Sequence, residues 1–252
     1  MYQNTYPVVS TKNLKLVLVS DLHIGLKGFR ADLYQKLLAE LAEDNTYWVA
    51  LGDVVEGREP GHKFYDYSET SMSVGEQYDY FFNSIQPFTE RCIGMHIGNH
   101  EESLIKRTTI NPIMQFCVGA RIPYLGTLGR TRFISPDDDY CDILSMHGAG
   151  GGNTGAAINK ALSYAQGFDP DLVVLGHHHK MSHVISPKSV IDERGKISFS
   201  PRHSVIAGSL LDGFVEGLSS YSESKMMSPT LPGYAIIDFD KNMKINTVRF
   251  RV

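Results

Sequence analysis

"LKLVLVSDLH" (residues 14–23) is a short apolar run that stops abruptly at Ser-Asp. A continuous apolar run of that length suits a strand buried on both faces. Directly after it, "RADLYQKLLAELAE" (30–43) sets Leu33, Leu37, Leu38 and Leu41 at helical spacing on one face. "TYWVALGD" (46–53) is a second buried strand, ending in Gly-Asp. The three pieces make a βαβ unit, which implies a parallel pair joined by a right-handed crossover.

Further along, "VGEQYDYFFNSIQPF" (74–88) reads as a helix ended by Pro87, and "CIGMHIGNHE" (92–101) as a strand. "NPIMQFCVGA" (111–120) reads as a short helix with Pro112 near its start. "TRFISP" (131–136) and "YCDILSMHG" (140–148) read as strands joined by an acidic turn. A helix over 154–168 leads to another buried strand, "DLVVLGHHH" (171–179). From Ser182 onward short strands and Gly/Pro/Ser turns dominate, clearest at 205–211 and 233–240. The tyrosine-rich stretch 56–73 reads as a loop or insertion. No linker interrupts the chain, so one α/β domain over 1–252 is expected, β-rich over 182–252.

Composition narrows the class. At 252 residues and 42% hydrophobic, the chain can build a sizeable core. A net charge of −4 argues against a strongly basic nucleic-acid surface. The three cysteines are widely spaced and form no CxxC, which fits reduced, buried thiols and a cytoplasmic location. The first residues do not resemble a signal peptide, and no apolar run approaches the roughly 18 residues of a membrane helix, so no membrane is expected.

Five expected strands end alike: "VSDLH" (19–23), "ALGD" (50–53), "HIGNH" (96–100), "LSMHG" (144–148) and "VLGHHH" (174–179). In open α/β sheets ligands bind beyond the carboxyl ends of strands. Taken singly, each has a plainer reading: Asp21 or Asn99 as a helix cap, Gly52-Asp53 as a turn, the histidine run as a solvated bend. Their recurrence at one kind of position outweighs those readings.

The ordered set "DLH" (21–23), "GDVVE" (52–56), "GNHE" (98–101), "MHG" (146–148) and "GHHH" (176–179) closely resembles the calcineurin-like metallophosphoesterase family. That resemblance implies an α/β fold in which a two-sheet β-sandwich, flanked by helices, carries two divalent metal ions at the strand ends. It assigns Asp21, His23 and His179 to one ion, Asn99, His147 and His177 to the other, and Asp53 as the bridge. Extended backbone would turn His177 and His179 one way and His178 the other. Oxygen and imidazole ligands without thiolate suit Mn²⁺ first, with Fe, Zn²⁺, Ni²⁺ or Mg²⁺ also admitted. Two such ions, roughly 3.5–4 Å apart, would clamp a phosphoryl group and activate a bridging water. The resemblance makes His100 the proton donor to the leaving oxygen, with Glu56 behind it. The family's phosphoprotein phosphatases carry Asp where Glu56 stands, followed directly by Arg; here "GDVVEGRE" brings Arg58 one place late.

The substrate side is less defined. Asn99, Arg58, Lys106 and Arg107 are candidate phosphate contacts, although Lys106 and Arg107 suit a solvated helix face equally, as does Arg30. Tyr65, Tyr67, Tyr78 and Tyr80 suit either base stacking or packing. The glycines of 147–156 suit an anion-binding turn or a merely flexible one; 220–233 reads as a surface loop, and His183 and His203 as structural. The expected function is phosphodiester hydrolysis of the nuclease or nucleotide-phosphodiesterase type. Alternatives are a phosphomonoesterase, a protein-phosphatase-like enzyme, or a catalytically silent scaffold. The expected partner is a phosphoester, with nucleotides and nucleic acids among the candidates, and homo-oligomers are left open. A silent scaffold would be expected to have lost ligands, yet all seven ligand positions and His100 are filled.

Overall fold

The structure, a computed structural model, describes residues 2–7, 14–150, 154–217, 221–224, 226 and 228–252. Strand β1 (Tyr2–Pro7) has no signal in the sequence pattern; β2 (Lys15–Val19), α1 (Ala31–Ala42) and β3 (Thr46–Ala50) follow as expected. β2 and β3 pair in parallel. Helix α1 buries Leu33, Tyr34, Leu37 and Leu41, the face its periodicity marks. Helix α2 (Val74–Ile85) starts where Ser73 and Glu76 close a reciprocal capping box. A 3₁₀ turn (Gln86–Arg91) replaces its last expected residues, because Pro87 has no N–H to continue the ladder.

Strand β4 (Cys92–His96) is shorter than the sequence suggests, since helix α3 (Asn99–Thr108) begins at Asn99. Glu101, in the first turn, accepts the Gly98 N–H at 2.8 Å and so fixes that start. Then come α4 (Pro112–Ala120), capped by Asn111, β5 (Tyr124–Gly126), β6 (Leu128–Ile134), β7 (Tyr140–Met146), α5 (Thr154–Phe168) and β8 (Leu172–Leu175). Beyond Ser182 the expectation of short strands fails. β9 (Met181–Ile191) and β10 (Ile197–Ser209) form a long antiparallel hairpin. Its serines, prolines and lysine hide the apolar alternation. A short helix α6 (Tyr221–Ser224) precedes β11 (Gly233–Phe239) and β12 (Ile245–Arg251). The acidic turn at 137–139 does join β6 to β7, which pair antiparallel.

The strands form one hydrogen-bonded path, β1-β6-β7-β8-β10-β11-β2-β3-β4-β5, with β9 and β12 at its side. The fold is therefore mixed α/β, with a large sheet flanked by helices. The link is the end of β10, which leaves β8 and β9 and pairs Gly208 and Ser209 with β11. A shared core joins the two halves of the path on either side of β10: Leu16 and Leu18 of β2, Ile143 of β7, Val174 of β8 and Ile237 of β11 lie in one buried cluster. A second cluster, around Trp48, Phe81 and Leu37, packs helices on the β2–β4 face. Cys92, Cys117 and Cys141 are all buried, as expected. Among the described residues no helix is long and apolar enough to cross a membrane.

Two outcomes test this core. Trp48 is fully buried and its indole N–H donates to Phe88 O at 2.9 Å. Trp48→Ala should cost about 3–5 kcal/mol in urea unfolding followed by circular dichroism. Asp142 accepts from Arg132 at 2.6 and 2.8 Å and from Arg130 at 2.9 Å. Burial raises its carboxyl, but the two guanidinium groups outweigh that and hold it below the ordinary range. Its contribution is thus complete above the unfolded value of about 4 and fades as pH falls through the lower folded value. The stability gap between the native protein and Asp142→Asn should be widest near neutrality and close on acidification.

Candidate metal centre

The carboxyl ends of β2, β3, β4, β7 and β8 meet at one place. Three groups of side chains there offer ligand atoms within 4.8 Å of one another: Asp21, His23 and His179; Asp53, His147 and His177; and His23, Asp53 and His100. The first two groups are the sets that the resemblance names, apart from Asn99, an amide. Asn99 Oδ1 lies 3.2 Å from His147 Nε2, so it joins the second group.

Hydrogen bonds behind the rings decide which atoms face inward. His147 Nδ1 donates to Leu51 O at 2.7 Å, leaving the Nε2 lone pair toward Asn99 Oδ1, His177 Nδ1 (3.2 Å) and Asp53 Oδ2 (3.3 Å). His23 Nδ1 donates to Glu56 Oε2 at 3.1 Å, leaving its Nε2 3.0 Å from His179 Nε2. His179 Nε2 in turn lies 3.2 Å from Asp21 Oδ1, a fully buried oxygen with no hydrogen-bond partner. Acceptor atoms crowded this closely repel unless a cation sits among them. Burial opposes a charge on His147, yet Asp53, Asp21 and Glu101 override it and push its pKa up to about 10. The proton there stands in for a cation the site calls for. The residues therefore fit a pair of divalent ions, held by oxygen and imidazole.

The backbone is bent to bring these groups together. Asp21, His23 and Asp53 (each φ 50°), His177 (φ 68°) and His179 (φ 52°) all occupy the left-handed region. Each costs on the order of 1 kcal/mol, and such strain gathers at functional sites. This corrects the extended reading of 177–179: β8 stops at Leu175, and left-handed turns, not strand alternation, aim His177 and His179 inward. His178 is 8% exposed, so it is buried rather than at the surface, with its ring 5.3 Å from that of His177.

Hydrogen bonds between loops hold the turns. Asp21 N–H donates to Gly52 O at 3.1 Å and His23 N–H to Asp53 O at 3.2 Å. His177 N–H donates to Asp21 Oδ2 at 2.8 Å, an oxygen that also accepts from the Ser20 hydroxyl. Glu101 accepts from the N–H groups of Asp53 (2.9 Å), Val54 (3.0 Å) and Gly98 (2.8 Å). It ties the Asp53 turn to the start of α3, a role the sequence gives no sign of. Burial, then the Asp53 charge, raises its pKa to about 7.

His100 lies beside the cluster. Its Nδ1 donates to the Glu56 carbonyl at 2.7 Å, and its Nε2 lies 3.3 Å from Arg58 Nη2. Burial lowers its pKa, but Asp53 and Glu56 reverse the direction and raise it. The Glu56 carboxylate is nearer His23 (3.1 Å) than His100 (3.4 Å), and its other oxygen pairs with Arg58 at 2.7 Å. Of the basic candidates, only Arg58 lines the cavity beside the cluster. Lys106 pairs with Glu102 and is 77% exposed, Arg107 binds Glu59, and Arg30 binds Asp32; all three are held on the surface by neighbouring acids. None of the four tyrosines lines the cavity either: Tyr78 is core, Tyr80 packs on Tyr34 and Phe29, and Tyr67 is 82% exposed. His183 and His203 stack on each other on the β9–β10 hairpin. Of the glycine-rich turn, 151–153 lie outside the described residues, as do 218–220, 225 and 227 around the expected loop at 220–233.

The cavity is about 710 Å³, and part of its wall was not visible in the sequence: Leu26, Phe64, Lys180, and the Leu211–Val215 segment that follows β10.

Comparison with known proteins gives a family and a set of distant folds. The model of the calcineurin-like phosphoesterase family matches residues 14–181. No curated protein matches the chain. Similar solved structures include vacuolar protein sorting 29 from Cryptosporidium parvum (15% identity, 95% of this chain and 97% of that one, TM-score 0.47). Another is Vps29 from Entamoeba histolytica complexed with zinc (13%, 94% and 97%, TM-score 0.46). A third is a predicted phosphoesterase from Streptococcus pneumoniae (12%, 96% and 99%, TM-score 0.38).

Gly98 offers a test of the geometry. A Cβ there would collide with Asp53 Oδ1 and lie 2.6 Å from Asp53 N. Mn²⁺ in excess should raise the melting temperature of the native protein. Gly98→Ala should keep its circular dichroism spectrum and lose most of that metal-dependent rise.

Proposed function

The chain belongs to the calcineurin-like phosphoesterase family, and from that premise we propose that it is a metal-dependent hydrolase of phosphodiesters. The observation that carries the reading is the convergence of ligand atoms within 4.8 Å of one another around the buried carboxylates of Asp21 and Asp53. On this reading Asp21, His23 and His179 hold one divalent ion, Asn99, His147 and His177 the second, and Asp53 both. The sheet is then the family's sandwich, its two halves closed over the core that β2 shares with β7 and β8. When bound, the ions, Mn²⁺ favoured, supply positive charge to the phosphoryl oxygens and acidity to a water.

The chain's own residues do the rest. Glu56 fixes the His23 tautomer so that Nε2 is free to ligate. The Glu56 carbonyl orients His100, whose Nε2 gives its proton to the leaving oxygen. Arg58, joined to both Glu56 and His100, contacts a phosphoryl oxygen. Asn99 shares in that contact. Lys106 and Arg107, outside the cavity, have no part in it. A diester is favoured over a monoester because the cavity leaves room beyond the phosphate for a second ester arm. Three buried thiols support a reducing, cytoplasmic setting.

With Mn²⁺ supplied, bis-p-nitrophenyl phosphate should turn over faster than p-nitrophenyl phosphate. The reverse order would assign a monoesterase, and no turnover of either, with metals bound, a scaffold. Asp53→Asn should lower both bound metal, read by elemental analysis, and rate. His100→Ala should keep both metals and lose about 10²–10⁴-fold in kcat. Loss of metal from His100→Ala would move that residue into the ligand set.

A further inference from the structure

Leu26, Phe64, Leu211 and Phe214 share the cavity with His100 and the metal-ligand cluster. Phe64 is 44% exposed and Phe214 38% exposed. Aromatic surface left open beside a polar centre gains if a ligand covers it. The wall that carries most of it is built before any ligand arrives. Leu26 bridges Thr70, Phe29 bridges Leu211, and Glu56 N–H donates to Ile24 O at 2.9 Å. Asp212 N–H donates to Gly28 O at 2.8 Å, Lys27 N–H to Glu69 O at 2.8 Å, and Leu210 N–H to Asp21 O at 3.2 Å. Gly28 leaves no room for a side chain, since a Cβ would meet the Asp212 carbonyl. Three separate segments thus form one apolar wall, anchored directly to the turn of Asp21.

Charge around the cavity limits what the wall can accept. Beyond the metal ligands, Arg58 and Lys180 are balanced by Glu56, Glu69 and Asp212. A polyanion tracking along such a rim would meet acids as often as bases. A neutral planar ring attached to a single phosphate would not.

Resting on the phosphodiesterase reading, we propose that Phe64, Leu211 and Phe214 form a subsite for a planar aromatic or heteroaromatic arm. The substrate is then a small-molecule phosphodiester, with its phosphate at the metal cluster and a ring against this wall. Phe64 and Phe214 determine specificity and take no part in bond breaking.

Binding separates this subsite from turnover. In calorimetric titrations of the Mn²⁺-loaded protein, diphenyl phosphate should bind about tenfold or more tightly than dimethyl phosphate. Phe64→Ala and Phe214→Ala, together, should erase that preference and leave dimethyl phosphate affinity and metal content unchanged. Equal affinities in the native protein, or a preference that survives both substitutions, would overturn the subsite. A single-stranded oligonucleotide bound more tightly than diphenyl phosphate would overturn the small-molecule assignment. A protein that shows the ring preference yet hydrolyses no ester keeps the subsite and loses the catalytic reading instead.

Discussion

Imidazole, carboxylate and amide groups crowded onto two points at the strand ends dominate this molecule. His23 and His179 face each other through ring nitrogens 3.0 Å apart, and His147, Asp53, Asn99 and His177 crowd a second point. Without a cation, such a cluster destabilises the fold through desolvation and repulsion together. Five left-handed residues add on the order of 5 kcal/mol of backbone strain, comparable to the whole net stability of an ordinary domain. The sheet must therefore be strong enough to hold the site in place. Its strands are nearly all fully buried at the relevant positions, from Leu16–Val19 through Leu172–Leu175.

The way the strain is distributed also makes the site rigid. Each ligand turn is hydrogen-bonded to the next: Asp21 to the Gly52 carbonyl, His23 to the Asp53 carbonyl, and His177 to the Asp21 carboxylate. Glu101 then spans the Asp53 turn and the first turn of α3 with one carboxylate. A Cβ on Gly52, at φ 90°, would meet the Gly98 backbone, and one on Gly98 would meet Asp53. The ligand constellation is thus set by backbone contacts, and the side chains need little freedom to complete it.

Glu56 and Arg58 show how one small departure reshapes such a site. The glutamate reaches past His100 to His23, while its backbone carbonyl takes over the His100 Nδ1 proton. Arg58, displaced by one residue, lies against both. His23, His100 and Arg58 are thereby tied together through one residue, Glu56. Part of the cavity wall comes from Leu211–Val215, beyond the residues that the family model matches.

Local pattern alone determined the βαβ start, the helices at 31–42 and 112–120, and the recurrence of Asp, Asn and His at strand ends, because periodicity and turn chemistry act over a few residues. It carried the ordered motifs that mark the family for the same reason. Strand order, the single path through β10, and the long β9–β10 hairpin were decided by tertiary pairing, where polar residues such as Ser186, Lys188 and Ser200 are tolerated. The left-handed turn at His177 is held where the Asp21 carboxylate accepts its N–H and the Met146 carbonyl accepts that of Gly176, not by any preference of histidine. Glu101's three donors, the partner of Glu56, and the apolar wall at Phe64 and Phe214 lie between segments up to 150 positions apart. Contacts of that range leave no spacing in the chain to be read, since their geometry exists only after the sheet has closed.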